Sequence, residues 1–194
     1  MRPLPYVLPY AIVFWLAFLW AFAPEFRIVR NAQREQGSTD SKSLQVITRG
    51  QGFAFAASFF LAWVPALRLA PRHPRLVFVA GIALMIGGSL LRRHCWRVLG
   101  ASFTGDVRAR ADQEVVSRGA YQILRHPSYT AGILLNAGVG IALGSWLSAL
   151  LLTIASFVVY QYRITVEERA LLGTIGEPYR QFMAGRKRLI PFVY

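Results

Sequence analysis

The chain has 194 residues, 55% of them apolar and 16% charged, against roughly 25% charged in an ordinary soluble domain. With a mean hydropathy of +0.39, an intrinsically disordered chain and an ordinary soluble domain are both poor readings, and the lone Cys95 excludes an internal disulfide framework and a multi-cysteine metal site. The net charge of +13 comes from 20 Arg and 2 Lys against 9 acids; such a balance often marks a nucleic-acid binder, but in a chain whose apolar residues form long uncharged blocks it marks loops facing anionic lipid.

Four stretches carry no Asp, Glu, Lys or Arg: 3–24, 50–67, 76–91 and 127–162. One helical crossing of a hydrocarbon core about 30 Å thick takes roughly 20 residues. In the first stretch, Arg2, the apolar run and Ala21-Phe22-Ala23 resemble a signal peptide. The run is too long for the apolar core of one and holds Pro3, Pro5 and Pro9, so it is read as a retained span. The polar residues 31–43, with Gly37-Ser38-Thr39-Asp40, are expected to form a solvated loop. The second and third stretches are single spans, the third a short one. The fourth, 36 residues, suits two short spans with a break at Gly144-Ser145, both poor helix formers. Trp146 suits an interfacial aromatic, and Gly140-x-x-x-Gly144 reads as close helix packing.

The expected fold is therefore an all-α integral membrane protein of five transmembrane helices ending in a two-span hairpin. Lys and Arg number five in 25–49, seven in 92–126 and six in 163–194, against Arg2, Arg68, Arg72 and Arg75 on the other side. The positive-inside rule places the C-terminus and both longer loops in the cytoplasm, and an odd number of spans then places the N-terminus outside.

Two polar clusters carry chemistry. The first runs from Arg92-Arg93-His94-Cys95-Trp96-Arg97 through a glycine-containing, charged segment to Val115-Val116-Ser117-Arg118-Gly119-Ala120-Tyr121, then Arg125-His126-Pro127-Ser128-Tyr129. His126-Pro127 is a helix start. Free N–H groups of that first turn would suit an anion such as a carboxylate, and Tyr121 and Tyr129 could flank a flat ring. The same residues equally suit an ordinary membrane boundary, and spacing alone does not choose. In the second cluster, Arg163 and Glu167 stand four apart on one helix face. Pattern alone favours an i,i+4 salt bridge worth a few tenths of a kcal/mol; the functional alternative is a cationic clamp for a substrate carboxylate beside an anionic partner for a cofactor's hydroxyls. There is no Walker loop and no Gly-x-Gly-x-x-Gly between a strand and a helix. His73, His94 and His126 lack metal-ligand spacing, and Cys95 reads as a small apolar filler.

The segments 115–121, 125–129, Glu167-Glu168, Gly176-Glu177-Pro178-Tyr179 and the closing Lys187-Arg188-Leu189-Ile190-Pro191-Phe192, in that order, resemble the isoprenylcysteine carboxyl methyltransferase family. The chain looks like a small prokaryotic member, matched over 99–191. Arg-His-Pro-x-Tyr alone is moderately specific; a double glutamate following a two-span hairpin makes the pattern strong. The resemblance implies an integral-membrane enzyme that methylates the C-terminal carboxylate of a prenylated cysteine from S-adenosyl-L-methionine, the substrate entering from the bilayer. It implies a cytoplasmic cofactor pocket formed by Gln113, Glu114, Val115, Val116, Tyr121, His126, Pro127, Ser128, Tyr129 and Glu167, with Arg163 as the substrate-carboxylate arginine. The family often has His-x-Leu-Val where this chain has Gln113-Glu114-Val115-Val116. On this reading 1–194 is a single membrane domain, with three N-terminal spans in 1–91 and a catalytic region in 92–194 that includes the hairpin 127–162 and C-terminal helices. The expected partners are a prenylated cysteine or other lipid-like substrate and membrane lipid, with no nucleic acid and no metal. Three alternatives remain open: a phospholipid amine methyltransferase of the same architecture, needing a base such as His126 or Glu168; a nicotinamide-dependent membrane reductase with a similar Arg-His-Pro-x-Tyr; and a non-catalytic scaffold whose basic loops bind lipid.

Overall fold

Prolines set where several helices begin. Pro3, Pro5 and Pro9 hold the first residues out of an α-helix, in a short 3-10 turn at Leu4–Tyr6, so α1 starts at Tyr10 and not at the first uncharged residue. A computed structural model describes residues 2–34, 41–69, 72–100, 115–191 and 193. The described residues form α1 (Tyr10–Arg34), α2 (Ser41–Leu61), α3 (Pro74–Leu99), α4 (Pro127–Ala142), α5 (Trp146–Thr174) and the short α6 (Glu177–Ala184). Proline opens α3 and α4 at a position whose N–H no helix would use.

The uncharged stretches fall on α1 to α5, but their ends do not coincide with the helix ends. α2 is helical from Ser41 and stops at Leu61, ahead of a 3-10 turn at Pro65–Leu67. α3 runs on through Arg92–Arg97, and α5 through Arg163–Arg169. Arginine and glutamate are good helix formers, so losing apolarity ends a membrane face without ending the helix. Of the expected loop 31–43, Asn31–Arg34 and Ser41–Ser43 are helical, and 35–40 lie outside the described residues. Three segments, Tyr10–Ile28 of α1, α3 and α5, are long and apolar enough to cross a membrane. The 16 residues of α4 rise about 24 Å.

α3 packs along α4, α4 along α5, and α5 also along α2; α1 lies against α3. The α3–α4 seam is backbone to backbone. A Cβ on Gly88 would sit 2.5 Å from the Leu135 nitrogen, and one on Gly138 only 2.3 Å from the Met85 nitrogen, the small-residue contact expected between membrane helices. α1 meets α2 through rings, with Trp15 stacked on Phe59 at 5.6 Å and Phe18 edge-on to Phe55 at 6.0 Å. Pro24 stands inside α1, and its missing N–H leaves the Trp20 carbonyl without its intrahelical donor. α3 supplies the replacement: Arg93 Nη2 donates to that carbonyl at 2.5 Å, while Ser89 Oγ makes an additional bond to the Ala21 carbonyl at 3.0 Å.

The break between α4 and α5 falls at Gly144-Ser145, as its residue types require. Gly144 takes φ 73°, and Ser145 caps α5 by accepting from the Ser148 N–H at 3.2 Å. Gly144 serves the turn and not helix packing, whereas Gly140 packs directly on Ala149. Leu69 donates to the Gly144 carbonyl at 2.8 Å, which places the α2–α3 connection and the hairpin tip at one end of the bundle. The charged groups described below gather at the other.

Gly88→Ala should therefore destabilise the fold by about 1–3 kcal/mol through overpacking, despite alanine's helix advantage of up to about 1 kcal/mol. Gly87→Ala, whose Cβ would meet nothing within 4 Å, should be neutral or slightly stabilising. Thermal unfolding of the two variants in detergent checks the contrast.

Candidate active site

The site begins at the start of α4. Pro127 restricts His126 to φ −129°, ψ 56°, just outside the helix. The main chain arriving there is held by the C-terminal segment: Arg125 N–H donates to the Lys187 carbonyl at 2.8 Å, and His126 N–H to Arg188 at 3.1 Å. Thr130 Oγ1 donates to the Leu189 carbonyl at 2.7 Å. The N–H groups of Tyr129 and Thr130 turn back onto the His126 carbonyl, at 3.0 and 3.3 Å. With Pro127 carrying no N–H, the helix start is largely self-satisfied and does not present the free row of donors that its sequence suggests.

Glu168, on the charged end of α5, is the ionic hub. It is 4% exposed. Its Oε1 accepts from Arg125 Nη1 at 3.0 Å and from His126 Nε2 at 3.2 Å, and its Oε2 from Arg188 Nη2 at 2.8 Å. A carboxylate only accepts, so Nε2 carries the imidazole hydrogen. The preceding residue on the same helix, Glu167, accepts through Oε2 from the Tyr129 hydroxyl at 2.6 Å, and the buried Arg163 guanidinium, one turn back, donates to that same hydroxyl. The Tyr129 ring packs on His126 at 5.6 Å and on Tyr160 at 4.9 Å, so it is already committed to protein rings.

Tyr121 closes another side. The turn Gly119–Gln122 lies on α3, where a Cβ on Gly119 would come within 3.4 Å of His94 Nε2. Burial first, then the Cys95 thiol and the Glu167 carboxylate, push the Tyr121 hydroxyl well above its ordinary value. Tyr179 of α6 behaves alike: burial, then Glu167 and Glu168, raise it. Both phenols stay protonated and remain donors at neutral pH.

The structure thus brings Tyr121, His126, Pro127, Ser128, Tyr129, Arg163 and Glu167 to one end of the bundle. Val115 and Val116 are half-buried in the irregular run leading into the Gly119–Gln122 turn. Gln113 and Glu114 lie outside the described residues. Arg125, Arg188 and Tyr179 were not singled out by sequence, although all three lie in segments that carry the family resemblance. Glu25 and Arg92 carry no sequence signal beyond charge at the edge of an apolar run. Among the described residues no group of three or more His, Cys, Asp or Glu could hold a metal ion.

Breaking a buried ion cluster by neutralising one partner costs about 3–5 kcal/mol. Glu168→Gln should fall near the low end of that range, because Arg188 is partly exposed. Lys187→Ala, which removes an exposed side chain but leaves its carbonyl, should stay within about 0.5 kcal/mol of wild type. Unfolding midpoints in detergent provide the comparison.

Residues 76–176 match the model of the family described as phospholipid methyltransferase. Protein-S-isoprenylcysteine O-methyltransferase B of Arabidopsis thaliana is 30% identical over 115 residues, covering 58% of this chain and 58% of its own. Protein-S-isoprenylcysteine O-methyltransferase of Tribolium castaneum is 29% identical over 176 residues, 87% of this chain and 61% of its own. The matches thus span 58% and 61% of the length of these relatives. The solved structure of a eukaryotic intramembrane Ras methyltransferase, isoprenylcysteine carboxyl methyltransferase, superposes with a TM-score of 0.70 at 26% identity, covering 98% of this chain and 70% of that one.

Proposed function

The chain belongs to the phospholipid methyltransferase family and is related within it to the isoprenylcysteine carboxyl methyltransferases, and from that premise we propose that it transfers a methyl group from S-adenosyl-L-methionine to the C-terminal carboxylate of a prenylated cysteine. The observation that carries this reading is the Tyr129 hydroxyl set between Glu167 and the buried Arg163. It puts an anion suited to a cofactor's hydroxyls and a cation suited to a carboxylate on either side of one atom.

The residues present fit such a cofactor. Glu167 offers carboxylate oxygen, the protonated Tyr121 hydroxyl is a donor beside it, and Val115 and Val116 supply apolar surface upstream. When bound, S-adenosyl-L-methionine supplies an electrophilic methyl on a sulfonium. Gln113, Glu114, His126, Pro127, Ser128 and Tyr129 complete the proposed cofactor set. A substrate carboxylate is ionised at neutral pH and needs no base. The protein's task is to strip its water and aim it in line with the methyl–sulfur bond. Arg163, 4% exposed, suits that task because its planar fork holds both oxygens. It positions the nucleophile; strong pairing also stabilises the ground state, so its value lies in orientation.

The family description favours one other reading, a lipid amine as methyl acceptor. That reaction needs a base. Glu168, already held by two arginines and the His126 imidazole, is a weak one, so that reading would have to use His126 instead. In a membrane, we place α1 to α5 as five crossings, with the charged end and C-terminus cytoplasmic, the N-terminus outside, and the prenyl chain arriving sideways from lipid. The excess of Lys and Arg at that end supports this sidedness.

Two measurements test the proposal: methyl transfer to a farnesylated cysteine analogue, and S-adenosylhomocysteine binding by calorimetry. His126→Ala and Glu167→Ala should each weaken binding by roughly 1–3 kcal/mol. Arg163→Lys should lose most turnover while cofactor affinity changes little, since lysine is a point charge without the fork. Near-normal turnover by Arg163→Lys would sink the carboxylate clamp, whereas a lipid-amine enzyme would tolerate that change.

A further inference from the structure

Ser89, Arg92 and Arg93 follow one another at i, i+3 and i+4 on α3, and all three reach one short stretch of α1. Arg93 satisfies the Trp20 carbonyl freed by Pro24, and Ser89 donates to the Ala21 carbonyl next to it. Arg92 grips Glu25, the residue after that proline: Nε and Nη2 both engage its carboxylate, Nη2 at 3.0 Å. The remaining nitrogen, Nη1, points the other way and donates to the Ser128 carbonyl at 2.6 Å and the Ser128 hydroxyl at 3.2 Å. The guanidinium sits 5.0 Å from the Trp96 ring centroid and 5.7 Å from that of Tyr160, itself stacked on Tyr129. Arg92 is 8% exposed, so nearly all of its hydrogen bonding goes to protein.

We propose that Glu25 and Arg92 are positioning residues: Glu25 orients the Arg92 fork, and Arg92 fixes the first turn of α4 at Ser128, between His126 and Tyr129. The first helix of the chain is then a working part of the site as well as a membrane segment. The seating of α4 follows from these contacts alone; its consequence for cofactor binding rests on the function proposed above. The geometry requires arginine. Lysine carries one nitrogen and cannot reach Glu25 and Ser128 in opposite directions, although it would keep the charge.

The test uses the full chain in detergent, with Arg92→Lys, Glu25→Gln and the exchanged pair Glu25→Arg with Arg92→Glu. Hydrogen–deuterium exchange across 127–135 reads the seating of α4, with 144–150 at the hairpin tip as internal reference. Both single variants should exchange about tenfold faster over 127–135 and unchanged at the tip, and S-adenosylhomocysteine should bind about tenfold more weakly, the scale of one lost hydrogen bond from a charged donor. The exchanged pair restores attraction between α1 and α3 but turns a carboxylate toward the Ser128 carbonyl, so it should not recover either reading. Wild-type exchange over 127–135 in the single variants, or recovery by the exchanged pair, overturns the proposal and leaves a plain inter-helix ion pair. If exchange responds as expected but the wild-type protein binds no S-adenosylhomocysteine, the positioning role stands and the proposed function falls.

Discussion

A carboxylate taken out of water costs several kcal/mol unless cations and N–H donors replace the lost solvent, and Glu168 meets that requirement by joining three separate pieces of chain, its own and two that supply donors. Arg125 and His126 arrive from the connection into α4, Arg188 from the segment after α6, and the carboxylate itself from α5. Because the carboxylate would be left buried and unpaired without these donors, the three pieces are ordered together. The consequence reaches past the ions. Fixing Glu168 fixes the rotation of α5 about its axis, and with it the neighbouring face on which Arg163 and Glu167 stand one turn apart. The Tyr129 hydroxyl can lie between those two only in that rotation.

Charge does a different job one helix away. Arg92 is shared between α1 and α4, next to the point where Pro24 interrupts the hydrogen bonding of α1 and Arg93 of α3 answers it. A proline inside a helix usually costs about 3 kcal/mol. Here the freed Trp20 carbonyl gains an arginine donor, so the interruption becomes the contact that sets α1 against α3 in one register.

The membrane class, the helical hairpin and its break at Gly144-Ser145 were legible because apolar length and poor helix formers act locally. His126-Pro127 was legible as a helix start for the same reason. The continuation of α5 through Arg163 and Glu167 was legible from their spacing on one helix face, whereas nothing local marked α3 as continuing through Arg92–Arg97. The first turn of α4 offers fewer free donors than its residue types suggest, since Pro127 has none and the Tyr129 N–H finds the His126 carbonyl. Of the candidate site, the resemblance located Tyr121, His126 to Tyr129, Arg163 and Glu167, which the fold brings together. Glu25, Arg92, Arg125 and Arg188 stayed hidden because their meaning lies in pairings across 67, 36, 43 and 20 residues of chain, and no local pattern encodes a partner that far away.

What brings the carboxylates of α5 to the start of α4 is the register of a single turn. Counting from Gly144, Tyr129 lies 15 residues back and Tyr160 lies 16 forward, and in an antiparallel pair of helices nearly equal counts place residues side by side; their rings stack at 4.9 Å. α4 is short, so it ends its charged-side run at His126, while α5 continues past that level to Glu167 and Glu168. The overshoot puts the carboxylates beside the start of α4 and within reach of the segment 187–189. An extra residue in either helix would move everything beyond it by about 1.5 Å along the axis and turn it by about 100°. That displacement would take Tyr129 off Tyr160 and Glu167 together. The tight turn, with φ positive at Gly144 and Ser145 capping α5, therefore sets the geometry of a site that lies at the far end of the hairpin from it.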